Sequence, residues 1–357
     1  MTIRYGIIGT GLMGCEHIRN LIKIEGADVT AVADPDEGSR QWALDICGDH
    51  FSPKVFERYE DLLASDDVDA VVVASPNYTH IDVMREAFKT DKHIMLEKPM
   101  CTTMAHAYEV YDAAAAHKGV VWIGLEYRFM APIAALLSNL DKIGSIRMCA
   151  IREHRFPFLK KVGDWNRFNR NTGGTLVEKC CHFFDLMNQV IPSEPIRVYA
   201  SGGQDVNHLD ETYDGEVPDI LDNAYVIIDY ANGARALLDL CMFAEGSKDE
   251  QQLAVTGDIG KIETAVPGDE MILSNRADDA NTVIKVTQDP RVLEQGFHHG
   301  ASFMEHLNFI EAIKTGKPTE ITLHDGLMSV AVGVAAQESI ERGVPVMLSE
   351  IIKRDKS

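Results

Sequence analysis

The sequence predicts an α/β half over residues 1–124, built on a doubly wound parallel sheet, followed by an α+β half over 125–357 with an open, predominantly antiparallel sheet. Three observations carry this. Up to residue 124 short apolar runs alternate with helical periodicity, the pattern of strands covered by helices on both faces. From Leu125 onward the strands lengthen and alternate, as in SIRMCAIREHR and PIRVYASGG. A chain of 357 residues also exceeds what one hydrophobic core usually serves, so two domains are expected.

In order, RYGIIG begins the first strand and Met13 to Ile24 the first helix. DVTAVAD and a helix from Ser39 to Ile46 follow, then VDAVVVAS and a helix from His80 to Lys89. HIMLEKP, a helix from Met104 to Ala116, and VVWIGLE complete the first half. In the second half, AYVIIDYANGARALLDLCMF holds Asn232-Gly233 between two strand-like segments, the strongest short hairpin signal. A further strand pair is expected through Leu253 to Val266, and helices from Ala301 to Thr315 and from Gly326 to Arg342, the last stopping before Gly343. No repeat or linker-like tract separates the halves, so a firm interface is expected between them.

Composition narrows the class of function. Hydrophobic residues at 45% and charged residues at 25% are those of an ordinary globular protein. A formal net charge of -21 repels polyphosphate, so neither nucleic acid nor an anionic membrane is expected as partner; a small molecule is. The opening MTIRYGIIG lacks the pattern of a signal peptide, runs such as VVVAS are too short to span a bilayer, and the seven cysteines follow no repeated spacing. A cytoplasmic protein is expected.

Gly9, Gly11 and Gly14 form G-T-G-L-M-G, with Leu12 and Met13 inside it, between the first strand and the first helix. The first glycine permits the tight turn, the second close approach of a pyrophosphate, and the third helix-strand packing, while the helix N-terminus attracts phosphate. Asp34 ends the second strand about twenty residues on, where a carboxylate can accept both ribose hydroxyls. This is a Rossmann dinucleotide site. Because Asp34 would repel a 2′-phosphate, NAD is favoured over NADP; Arg40, which could reach such a phosphate, has the plainer reading of an exposed helix charge. Ser75, Pro76 and Asn77 end the fourth strand where the nicotinamide is expected, with His80 following as a packing or turn residue.

The run ASPNYTHIDVMREAFKTDKHIMLEKPM, with Glu97, Lys98 and Pro99 in it, resembles the glucose-fructose oxidoreductase, inositol dehydrogenase and rhizopine-catabolism (Gfo/Idh/MocA) family. GGTLVEKCCHFFD at 173–185 resembles the second motif of that family, and GLEYRF and the closing HHGASFMEHLNFIEAIKTGKP extend the likeness over nearly the whole chain. The resemblance implies NAD(P)-dependent oxidation of a sugar or cyclitol hydroxyl, or the reverse, by a homodimer or homotetramer. It implies that Lys98 and His182 are catalytic, that Glu178 holds the acidic position, and that Glu97 belongs to the cofactor site. Two departures, Glu178 where aspartate is common and Lys179 where small or hydroxyl residues are common, bear on the substrate rather than on the reaction.

The segment around Cys180 and Cys181 raises three chemistries. Adjacent Cys181 and His182 diverge on a helix and no zinc-spaced pair occurs, so no metal is expected; cysteines among apolar neighbours read as core. A proton relay remains. If the helix runs on from Thr175, Glu178 and His182 lie one turn apart on one face, with Asp185 near them as relay member or structural bridge. His182 would take the hydroxyl proton with Glu178 orienting it, and Lys98 would stabilise the oxygen or share the proton, its own pKa lowered by the nicotinium. Tyr127, Arg155, Trp165, Lys179 and His299 are the candidate substrate contacts, a donor-rich set suited to a polyol. Two rivals stay open: a glycosidase that uses NAD without net turnover, and a non-catalytic sugar or nucleotide sensor, against which the presence of both Lys98 and His182 counts.

Overall fold

The computed structural model describes residues 2–292 and 298–353. Strands β1 (Ile3–Ile8), β2 (Ala27–Ala33), β3 (Lys54–Phe56), β4 (Ala70–Val73), β5 (His93–Glu97) and β6 (Val121–Gly124) pair in parallel in the order β3-β2-β1-β4-β5-β6. Helices α1 (Leu12–Leu21), α2 (Glu37–Cys47), α3 (Tyr59–Leu63), α4 (His80–Ala87) and α5 (Met104–Ala114) connect them. All four residues of β4 are buried, which is why the central strands read as continuous apolar runs. The chain order reverses between β1 and β4, and a crevice opens there at the carboxyl ends of the strands.

Short helices α6 (Ala131–Leu137), α7 (Asn169–Thr172) and α8 (Thr175–Glu178), then α9 (Cys181–Val190), lie among the strands of the second sheet. Its strands are β7 (Ile146–His154), β8 (Pro195–Gly203), β9 (Asn223–Tyr230), β10 (Arg235–Cys241), β11 (Gln251–Gly257), β12 (Gly260–Val266), β13 (Glu270–Asn275), β14 (Ala280–Lys285) and β15 (Val346–Met347). They run in the order β14-β13-β12-β11-β7-β10-β9-β8-β15, antiparallel except where β7 meets β10. The β9–β10 hairpin turns at Asn232-Gly233, Gly233 having φ 81° and donating its N–H to Tyr230.

Helices α10 (Ala301–Thr315), α11 (Leu323–Arg342) and α12 (Leu348–Ile351) end the chain. Phe303 and Phe309 of α10 and Leu327 and Val330 of α11 share one core with Ile7 and Ile123 of the parallel sheet. On its other side α11 places Ala331, Val332 and Ala335 in the core that β8 and β9 cover. One helix thus joins both cores.

Among the described residues, the opposite face of the nine-stranded sheet carries no such cover. Tyr199, Ile227, Leu237 and Ala150 stand side by side across β8, β9, β10 and β7, and the first three are exposed. No described helix is long and apolar enough to cross a membrane.

Candidate active site

A cleft of about 550 Å³ opens at the carboxyl ends of the parallel strands. Gly9, Gly11, Leu12 and Met13 form one wall. Gly9 has φ +86°, and a Cβ there would fall 2.5 Å from the Ser75 nitrogen, so neither the turn nor the approach of the β4 end admits a side chain. A Cβ on Gly14 would sit 2.0 Å from the Gly9 carbonyl oxygen, which explains why Gly14 packs behind the cleft instead of lining it. At Gly11, the N-cap of α1, a Cβ would meet nothing within 4 Å; the space left open over a helix N-terminus fits a pyrophosphate.

Asp34 lines the same cleft and is held by two backbone donors, Thr10 N–H at 2.8 Å on Oδ2 and Asp36 N–H at 2.9 Å on Oδ1. Arg40 is not on the wall. Its Nη1 donates to the carbonyls of Asp34 at 2.7 Å and Pro35 at 2.9 Å, anchoring the loop that carries the carboxylate. Ser75, Pro76, Asn77 and His80 line the far side. The His80 ring bridges the carbonyls of Pro99 at 2.9 Å and Ser75 at 3.0 Å, tying the β4 end to the residue after Lys98, and burial lowers its pKa. Glu97 turns inward to His17 Nε2 at 2.8 Å while still reaching the cleft.

Lys98 and Glu178 face each other across the inner end, but the geometry differs from one continuous helix. After α8 the chain makes a wider turn, with Cys180 N–H directed at the Thr175 carbonyl, five residues back, before α9 begins. The added residue rotates His182 away from Glu178, and the expected Glu178–His182 pair does not form. Lys98 Nζ instead donates to the Glu178 carbonyl at 3.3 Å, and the Glu178 carboxylate faces Lys161 Nζ at 3.4 Å. His182 lies behind the cleft wall, 1% exposed, stacked on Tyr127 with ring centroids 3.8 Å apart.

The other expected contacts divide. Trp165 lines the cleft, its ring under Lys161 Nζ at 4.4 Å. Lys179 is turned away from it, bonded to Tyr127 Oη at 2.7 Å and paired with Glu153 at 3.0 Å, because burying its ammonium requires a carboxylate. Arg155 lies 3.4 Å from Glu153 and 3.7 Å from Glu250, its guanidinium over Phe156. Tyr127, Arg155, Lys179, His182 and His299 are therefore off the cleft wall. His299 has φ 52° just ahead of α10 and is half-buried.

Asp185 is a structural bridge. It accepts Arg128 Nε at 2.7 Å, and Arg128 Nη2 also pairs with Asp325 at 3.2 Å, fixing α9 to the start of α11. Asp185→Ala should lower the unfolding free energy by about 3–5 kcal/mol, toward the lower value because Asp325 stays, by leaving a buried guanidinium short of its partner. Chemical denaturation monitored by tryptophan fluorescence measures this, with NADH binding expected to persist.

Three residues unforeseen from the sequence complete the site. Glu126, buried in the turn after β6, presents Oε1 3.7 Å from His182 Nε2 and 3.6 Å from His298 Nε2. His298 Nδ1 in turn lies 3.1 Å from Glu16 Oε1 on α1. Lys161 is the third. Glu126 stood inside GLEYRF and His298 inside the HHGAS run, yet nothing local showed that they meet.

The charges around these groups set their protonation. Burial raises Glu126 to about 7. Burial also lowers His182 well below its ordinary value, and the cations Lys98 and Lys179 add to this, so its imidazole is neutral. Burial opposes the charge on Lys98, but the carboxyl groups of Glu126, Glu97 and Glu178 together raise its pKa. Lys98 is thus an ammonium. Cys181, buried and pushed up to about 12, is a thiol. Among the described residues no group of three or more His, Cys, Asp or Glu side chains is placed to hold a metal ion.

Residues 3–125 match the family model described as oxidoreductase family, NAD-binding Rossmann fold, and residues 138–348 match its C-terminal alpha/beta domain. The uncharacterised oxidoreductase YrbE of Bacillus subtilis is 29% identical over 98% of this chain and 97% of its own length. The myo-inositol 2-dehydrogenase of Thermotoga maritima is 26% identical over 98% of this chain and 100% of its own. A levoglucosan dehydrogenase solved with NADH and levoglucosan shares the fold, with a TM-score of 0.84 at 19% identity over 98% of this chain and 100% of that one.

Proposed function

The chain belongs to the Gfo/Idh/MocA oxidoreductase family, and from that premise we propose that it oxidises a hydroxyl of a sugar, sugar derivative or inositol with NAD as acceptor. The observation that carries this reading is the meeting of an open pyrophosphate cradle at Gly11 with Lys98 and Glu178 at the inner end of one cleft. When bound there, NAD accepts the hydride from the carbon that carries the hydroxyl. Lys98, an ammonium beside the Glu178 carbonyl, donates a hydrogen bond to the substrate oxygen and stabilises its alkoxide character. His182, neutral and with Nδ1 free of any hydrogen bond among the described residues, takes the hydroxyl proton. Glu178, Lys161 and Trp165 supply polar and flat surfaces to hold a polyol.

NAD is preferred because the Asp34 carboxylate is fixed in the cleft and Arg40, off the cleft wall, is committed to the carbonyls of Asp34 and Pro35. Asp34→Ser should narrow the preference for NAD over NADP in kcat/KM by about tenfold, ~1.4 kcal/mol. An unchanged ratio removes Asp34 from cofactor choice. The homo-oligomer is supported by the exposed apolar row Tyr199, Ile227 and Leu237, which self-association of the open sheet face would cover.

NADH appearance followed by absorbance, with NAD and a panel of inositols, aldoses, anhydrosugars and sugar acids, tests the reading. Turnover on one of these classes is expected. No turnover on any of them, with NADH binding demonstrated by fluorescence, would contradict it and favour the redox-neutral glycosidase or the sensor.

A further inference from the structure

Glu126 is an anomaly in energetic terms. A carboxylate 1% exposed whose two oxygens accept no hydrogen bond from another described residue costs stability, and such groups persist where something else uses them. What surrounds it is specific: His182 Nε2 at 3.7 Å and His298 Nε2 at 3.6 Å converge on the same oxygen. His298 continues to Glu16 Oε1 at 3.1 Å, which also accepts Ser302 Oγ at 3.2 Å. The separations at Glu126 exceed a direct hydrogen bond, and a small rotation of the side chains closes them.

We propose that Glu126 is a positioning residue for His182: it holds the imidazole with its proton on Nε2, leaves Nδ1, which has no partner among the described residues, to accept the proton of the substrate hydroxyl, and receives the Nε2 proton during oxidation. This rests on the reading of His182 as base. In the step the substrate O–H bond breaks and its proton joins Nδ1. The Nε2–H proton then passes to Glu126, and the oxygen's electron pair is left to close the carbonyl; bound NAD would accept the hydride that the carbon gives up. His298 and Glu16 lead the proton onward from the buried carboxylate. A neutral imidazole among Lys98, Lys179 and Arg155 holds an added proton poorly, so a carboxylate that takes it away at once solves the difficulty that Glu178, turned to Lys161, cannot.

The groups facing Glu126 are Glu97 and Lys98 from the β5 end, Cys181 and His182 from α9, His298 from the segment before α10, Glu305 from α10, and neighbouring Tyr127. Its raised pKa, about 7, predicts that turnover increases as pH rises through that value, since only ionised Glu126 accepts the proton. Lys98, with its pKa raised, and His182, with its pKa well lowered, keep their forms across this range.

The test is nitrogen-15 histidine NMR of the full-length protein saturated with NADH, comparing wild type with Glu126→Leu and Glu126→Gln, the His182 signals being assigned by their loss in His182→Gln. Wild type should show one neutral His182 tautomer protonated on Nε2. Glu126→Leu should give a mixture of tautomers and lower turnover by about 10²-fold or more, as when an imidazole loses the carboxylate that fixes it. Glu126→Gln, which keeps an acceptor without the charge, should keep the tautomer and lose the rise in turnover near neutral pH. An unmoved tautomer in Glu126→Leu overturns the proposal; where His182→Ala is nevertheless inactive, the reading of His182 as base survives alone. Full turnover in His182→Ala overturns that reading and this proposal together.

Discussion

Lys98→Met is expected to lower kcat by about 10²- to 10³-fold while leaving NADH affinity within a few-fold, the usual effect of removing a preorganised donor from a developing oxyanion. Methionine keeps the length and much of the volume of the stem, so the loss reports the ammonium rather than packing. The position of that ammonium is set twice: β5 ends at Glu97, and the Glu178 carbonyl takes its Nζ at 3.3 Å. The negative surroundings that raise its pKa keep it charged at neutral pH, so the hydrogen bond is present throughout the working range. Steady-state kinetics with NADH binding measured by fluorescence checks this, and a variant with kcat near wild type would remove Lys98 from the chemistry.

His182→Ala should lower kcat by about 10²- to 10⁴-fold, the range for loss of a positioned base. Tyr127, stacked on the imidazole, and Phe183, edge-on to Tyr127, stay in place to support the emptied site, so NADH affinity should be retained. Because burial and the charges of Lys98 and Lys179 hold the imidazole neutral, its own titration should not shape the pH profile at neutral pH. Parallel loss of NADH binding and turnover would instead make His182 a structural residue.

Features carried by local chemistry were legible in the sequence. The Gly9 turn, the Gly14 contact, Asp34 at the β2 end and the Asn232-Gly233 hairpin each follow from what one or two residues can do with backbone or charge. Helix α10 matches its expected limits, and α11 begins three residues ahead of the expected Gly326 because Thr322 and Asp325 form a capping box. Strand β3 is three residues long, and β14 is exposed along most of its length, so neither shows the buried alternation that marks a strand. The parallel pairing of β7 with β10 inside an otherwise antiparallel sheet depends on a long-range register that no local pattern encodes.

The site divides along the same line. Lys98 and Glu178 stand at the cleft where the motifs put them, because each motif is a short segment at the end of a strand or helix. The relation between Glu178 and His182 was misread, since one residue added at the α8–α9 junction shifts the helical phase and periodicity alone cannot register it. Lys179 and Arg155 are donors in composition but are consumed by Glu153, a partner more than twenty residues from Lys179 in sequence. Glu126 and His298 come together only because α10 packs against the turn after β6, a tertiary contact.

The central claim is that hydride moves directly from a carbinol carbon of the substrate to NAD in this cleft. Mass spectrometry of the nicotinamide after oxidation of a substrate deuterated at every carbinol carbon tests it most directly. The account predicts NADH carrying the transferred deuterium at C4 of the nicotinamide ring, formed in equal amount to the carbonyl product. NADH without deuterium, or product formed with no net NADH, would contradict it.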